Sequence, residues 1–257
     1  MAILDKETKK LIFTLFSAMF VIVIFLWVAS NGASFLKTST KIVTNIAGNK
    51  TYDEPYKYNL DKNKSYYLTV STNKGDMKFL LNKDVAPNTV NNITNLVKND
   101  FYKNSSYFQK NDTYLLLGKG GSQESVNYRI PEEINADSLN LNTLVVKDYF
   151  EVLKQYYDSD LLIANQDHSV KNFFTSQGYS FITSVKSKKI TKGSLVMYSD
   201  TANNFGNLFY ISFGSNPISD GRMTNFGDLI AGEDVLNLVI SADPTDIVIN
   251  SILLLEQ

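Results

Sequence analysis

"YYLTVSTNKGDMKFLLNKDVAPNTVNNITNLVKNDFY", Tyr66 to Tyr102, contains the change of period that sets the fold. Tyr66–Thr72 is β-branched and aromatic, the composition of a strand. Asn73, Lys74 and Gly75 offer a turn, and Asp76–Asn82 reads as the returning strand, so the pair predicts a hairpin. Beyond Asp84 the spacing becomes helical: Val90, Ile93, Leu96 and Val97 form one apolar stripe. Pro87 suits a first helical turn, and Asp84 or Asn88 is the candidate cap.

Working outward, short strands are expected at Thr113–Leu117, Ser194–Tyr198, Leu208–Phe213 and Phe226–Ile230. "GEDVLNLVI", Gly232–Ile240, predicts a second short helix, and the chain closes on the β-branched "DIVINSILLLE". Many short strands with two clear helices predict a mainly β fold, a closed antiparallel eight-stranded barrel capped by those helices. Closure would remove edges open to another chain.

Composition excludes several chemistries. The 25 Lys and Arg against 26 Asp and Glu give no bulk electrostatic case for nucleic acid. With 0 Cys there are no disulfides, thiol nucleophiles, iron–sulfur clusters or Cys-based zinc sites. The lone histidine, His168, lies in the polar stretch "NQDHSVKN" and reads as a solvated surface residue, with no nucleophile elbow to serve. No P-loop or dinucleotide-binding glycine pattern occurs. The acids of "DSD", Asp158–Asp160, read as solvated loop carboxylates, and no metal or other cofactor is expected.

The order of the blocks resembles the cyclophilin family, the barrel-type peptidyl-prolyl cis-trans isomerases. Tyr66–Tyr102 resembles its opening hairpin and helix. "YFQKNDTYLLLGKGG" resembles its active-site strand, F-H-R-x-x-x-x-F-M-x-Q-G-G. "NYRIPEEI" resembles G-Y-x-I-P-x-E-F. "KGSLVMYSDTANNFGNLFYIS" resembles K-R-G-x-L-S-M-A-x-x-x-x-N-x-x-G-S-Q-F-F-I, and "FGDLIAGEDVLNLV" resembles F-G-x-V-x-x-G-M-D-V-V. The resemblance covers about Tyr66 to Leu255 in family order.

It implies a groove that grips a proline ring and an arginine that weakens the X-Pro amide. The arginine position is held by Gln109, the one catalytic candidate, which donates a hydrogen bond without charge. The two pocket glutamines fall at Leu117 and Leu208, the pocket histidine at Met223 and the rim tryptophan at Ile218. Phe108, Tyr114, Leu115, Phe209 and Tyr210 complete the expected substrate-binding set. Lys110 and Lys119 are the nearby cations that could replace the arginine.

Two regions depart from the family. "LIFTLFSAMFVIVIFLWVAS", Leu11–Ser30, is uncharged and of the roughly 20 residues that cross a bilayer. Its length favours an uncleaved anchor over a signal peptide cut near "VAS" or "NGA". Lys6, Lys9 and Lys10 in the tail 1–10 favour a cytoplasmic N-terminus and a domain outside. Residues 31–64 read as a stalk, and 65–257 as the domain. Within it, an insert at about 135–190 predicts a helix with Val145, Tyr149, Val152, Leu153 and Tyr156 on one face, and a second ending near Gly178. That face covers its own barrel or a protein partner. The resemblance thus implies a membrane-anchored, extracytoplasmic isomerase or folding factor acting on proline-containing segments, with activity weak or lost. The alternative is an inactive binding or structural module using the apolar groove and the insert.

Overall fold

The computed structural model describes residues 52–121, 125–202 and 204–257. Leu11–Ser30 and most of the expected stalk lie outside these residues; among the described residues no helix is long and apolar enough to cross a membrane.

The hairpin forms as its sequence predicts. β1 (Tyr66–Thr72) pairs with β2 (Gly75–Leu81), with Thr72 opposite Gly75 at the turn. Gly75 has a φ of 128°, which a side chain would oppose. Along β1 every second residue is buried, so one face is fixed on the interior. β3 (Gln109–Lys110), β4 (Tyr114–Leu117), β5 (Ser194–Met197), β6 (Phe209–Ser212), β7 (Asn225–Ala231) and β8 (Ile249–Glu256) complete one antiparallel sheet. Its order is β3-β4-β6-β5-β7-β2-β1-β8.

The expected closure is not made. The sheet is a curled half-barrel, and among the described residues no ladder joins its edge strands β3 and β8. β3 is only 2 residues long and offers little to pair. A cleft of about 530 Å³ separates it from Pro244 and Thr245, which precede β8.

The concave side holds the main core: Leu68, Phe79, Leu115, Leu195, Phe209 and Phe226 are fully buried. α1 (Pro87–Lys98) adds Val90, Ile93 and Leu96, and α5 (Glu233–Ser241) adds Val235, Leu236 and Val239. Neither Asp84 nor Asn88 caps α1, whose N-cap, Ala86, has no side-chain bond to give. The cap comes from the buried Glu133 of "IPEE". Its carboxylate accepts from the N–H of Asn88 at 2.9 Å and of Thr89 at 2.8 Å. These are the second and third helical N–H groups, the pair an N-cap side chain serves.

Residues 52–64, expected as stalk, pack on the domain instead. Tyr52 and Leu60 are buried in the main core, and Tyr52 meets Phe101 edge-on at 4.8 Å.

The insert is a chain of short turns rather than one long helix and a second. A 3-10 turn at Val146–Tyr149 leads into α2 (Phe150–Leu153). α3 (Ser159–Ala164) follows, then α4 (Val170–Ser176), which ends just before Gly178 at a φ of 93°. The first helix ends at Leu153, and Asp158 caps the next, accepting from Asp160 N–H at 2.8 Å. The "DSD" acids are therefore partly structural. His168 is exposed, as expected. The insert builds a second core from Leu141, Val146, Leu153, Leu162, Phe173 and Phe174, closed by Ile218 from the barrel. Tyr156, placed on the buried face by its spacing, is 60% exposed.

Candidate functional site

β4, β5 and β6 carry two faces of side chains. Leu115 and Leu117, Leu195 and Met197, and Phe209 and Ile211 point into the main core. Leu116, Val196 and Tyr210 are buried on the other face with Ile190, and Tyr114, Tyr198, Leu208 and Met223 pack around them. Cross-strand register aligns this outer cluster, with Tyr210 opposite Leu116 on one side and Val196 on the other.

A cavity of about 270 Å³ opens on that face, with Tyr114, Tyr198, Tyr210, Met223, Arg222 and Tyr156 in its lining. The Tyr114 ring lies 5.0 Å from that of Tyr210 and 6.1 Å from that of Tyr198. Such aromatic faces suit an apolar ring such as proline's. Tyr198 Oη donates to Asp200 at 2.6 Å. That bond, and then burial, hold its phenol above the ordinary range. Burial does the same to Tyr210. Ser219 approaches its hydroxyl closely enough to offset part of this rise, but Tyr210 Oη completes no hydrogen bond.

The structure divides the predicted site residues among four places. Tyr114, Tyr210 and Met223 line the cavity, and Leu208 packs in the same outer cluster. Leu115, Leu117 and Phe209 are on the interior face, fully buried and away from any groove. Strand alternation puts them there: a one-residue step along β4 changes the face. Ile218 is covered by the insert. Gln109 is exposed on the edge strand and lines, with Phe108 and Tyr114, the separate cleft facing Pro244. Only Tyr114 borders both.

Neither candidate lysine reaches the cavity lining. Lys119 lies over the Tyr107 ring at 4.2 Å, and Lys110 lies 5.7 Å from the Phe213 ring. The cation in the cavity is Arg222, one residue before Met223. Sequence reasoning passed over it because the family pattern directed attention to position 109. It also missed Tyr198, which stands where the family pattern has alanine, and Tyr156 from the insert.

The family model described as "Cyclophilin type peptidyl-prolyl cis-trans isomerase/CLD" matches residues 67–252. A putative peptidyl-prolyl cis-trans isomerase of Staphylococcus haemolyticus is 24% identical over 198 residues, covering 72% of this chain and 89% of that protein. Among solved structures, a cyclophilin-type peptidyl-prolyl cis-trans isomerase of Cryptosporidium parvum is 19% identical, with a TM-score of 0.47, over 74% of this chain and 98% of that one. A cyclophilin of Hirschia baltica is 12% identical, with a TM-score of 0.45, over 74% of this chain and 76% of that one. The ordered blocks and the family match over residues 67–252 lead to one conclusion: the chain belongs to the cyclophilin-type peptidyl-prolyl cis-trans isomerase family.

Proposed function

We propose that this is a membrane-anchored cyclophilin-type protein whose outer-face cavity holds X-Pro segments outside the cytoplasm, with isomerase activity weak or lost. The observation that carries the reading is the separation of Gln109 from the cavity lined by Tyr114, Tyr210 and Met223. Rotation about an X-Pro bond faces a barrier of about 18–20 kcal/mol set by amide resonance. Lowering it takes a donor placed where the proline nitrogen becomes pyramidal, so that the transition state gains more than the ground state. A neutral, exposed glutamine in another cleft supplies neither the charge nor the position. The aromatic cavity still supplies binding. The uncharged run Leu11–Ser30, with lysines before it, supports the anchor and its direction.

The test is proton exchange spectroscopy of a proline peptide titrated with the full-length chain in detergent. Peptide resonances should shift, and their cis–trans exchange should barely quicken. Exchange as brisk as that of an arginine-bearing cyclophilin would refute the weak-activity reading; no shift at all would refute the groove. Protease added to intact cells should digest the domain, and protection until lysis would refute the orientation. Shifts with no exchange whatever would favour the pure binding module, a reading supported by the insert's reach into the cavity through Tyr156.

A further inference from the structure

The loop before β7 brings Arg222 into the cavity, and the insert fixes it there. Its guanidinium lies 4.8 Å from the Tyr156 ring centroid, 5.5 Å from Tyr179 and 5.6 Å from Tyr157. Nε donates to Tyr179 Oη at 2.9 Å. The loop itself is clamped: a Cβ at Gly221 would lie 2.6 Å from Leu141 and 2.7 Å from Phe174, both in the insert core. The insert thus acts on the cavity by positioning one cation.

That cation is incompletely matched. Among the described residues, Nη1 of Arg222 is buried without an acceptor, and no carboxylate lies within ion-pair distance of the guanidinium. The other charged group in the lining, Asp200, is engaged by Tyr198. Tyrosine faces attract a cation, but they accept no hydrogen bond in the plane of the guanidinium. Nη1 is closed off from solvent, so a ligand in the cavity would meet the rest of the guanidinium, whose fork is shaped for a carboxylate. The cavity, about 270 Å³, is at the small end of ligand pockets and admits a short stretch of peptide.

We propose that Arg222 is a specificity-determining residue, and that the preferred ligand is a proline segment with a carboxylate side chain on the residue next to the proline. This rests on the cavity being an X-Pro site.

The test uses two blocked tetrapeptides, Gly-Glu-Pro-Gly and Gly-Gln-Pro-Gly, which differ in the carboxylate alone. Each is titrated against the full-length chain in detergent at low salt, followed by peptide chemical shifts. The glutamate peptide should bind about tenfold more tightly, the scale of one charge-assisted contact. The preference should shrink as salt screens it. Arg222→Gln should bring the two affinities together, and Arg222→Lys should restore part of the difference, since it returns the charge without the fork. Equal affinity of the two peptides for the wild type, or a preference that survives in Arg222→Gln, would overturn the assignment while leaving the groove intact. Binding of neither peptide would overturn the X-Pro reading of the cavity, and this inference with it.

Discussion

Replacing Glu133 by alanine should loosen the first helix, although the two are 44 residues apart at their closest bonded pair. The carboxylate accepts from Asn88 N–H at 2.9 Å, Asn88 Nδ2 at 3.0 Å and Thr89 N–H at 2.8 Å. Asn88 is exposed, so water takes over its donors when the carboxylate is gone. Thr89 is fully buried, and its N–H would be orphaned. A charged acceptor is worth about 1.5–3 kcal/mol per bond, and an orphaned buried donor costs about 1–3 kcal/mol. Against this, the variant no longer desolvates a carboxylate. The balance is a loss of about 2–3 kcal/mol, or roughly 5–10 °C in Tm for a domain of this size. Glu133→Gln keeps one acceptor oxygen and should lose about half as much. Asp84→Ala, at the cap position that local sequence favours, should stay within about 0.5 kcal/mol of wild type. The assay is urea denaturation with unchanged m, read as a shift in midpoint. A Glu133→Ala variant as stable as wild type, or an Asp84→Ala variant as damaged as that expected for Glu133→Ala, would refute the long-range cap.

Three further outcomes follow from single positions. Burial raises the Asp220 carboxyl to about 6, although Ile190 N–H donates to it at 2.6 Å. The folded state therefore holds this proton more tightly than the unfolded chain, so the contribution to stability falls as pH rises from about 4 to about 6. Asp220→Asn should remove that slope and gain on the order of 1–2 kcal/mol over wild type by pH 7, after allowance for solvent screening. Parallel thermal melts of the two proteins across this range check it, and a constant difference between them would refute it. Gly118 has a φ of 103°, and a Cβ there would lie 2.3 Å from the Asn207 carbonyl oxygen. Gly118→Ala should cost at least about 3 kcal/mol in the same denaturation assay, combining φ strain with a backbone clash. Tyr198→Ala should weaken proline-peptide binding in a titration by about 0.5–1.5 kcal/mol, the worth of one aromatic ring contact; unchanged or tighter binding would show that the ring is a filler and not a contact.

Much of the framework was legible because its signals are local. Tyr66–Thr72 and Gly75–Leu81 pair around the glycine turn that their sequence announces, and Pro87 opens the helix it predicts. The site was less legible because its signals are not. "YLLL" carries no alternation, so nothing in the letters says that Tyr114 and Leu116 face out while Leu115 and Leu117 face in. The register with β6 decides it. Tyr156 continues an apolar spacing, yet the helix ends at Leu153, a new one starts at the Asp158 cap, and the ring is left beside Arg222. Caps and turns within three or four residues can be read from one stretch; Glu133 on Thr89 and Tyr179 on Arg222 cannot.

On the proposed reading, the same geometry would let a groove without its family's polar groups still select its ligand. The strand that carries position 109 is two residues long and at an edge, so a side chain there is held by little. Arg222 is held by the Tyr179 hydroxyl, by three rings, and by a loop that packs against Leu141 and Phe174. A cation fixed by an insert core is better suited to discriminating ligands than one on a short edge strand, because its position is set before the ligand arrives. It is not thereby suited to catalysis, since rate depends on where the donor stands relative to the rotating bond. If the cavity holds proline segments as proposed, the insert that fixes Arg222 and the glutamine at position 109 would act together, favouring selection of those segments over turning their proline bonds.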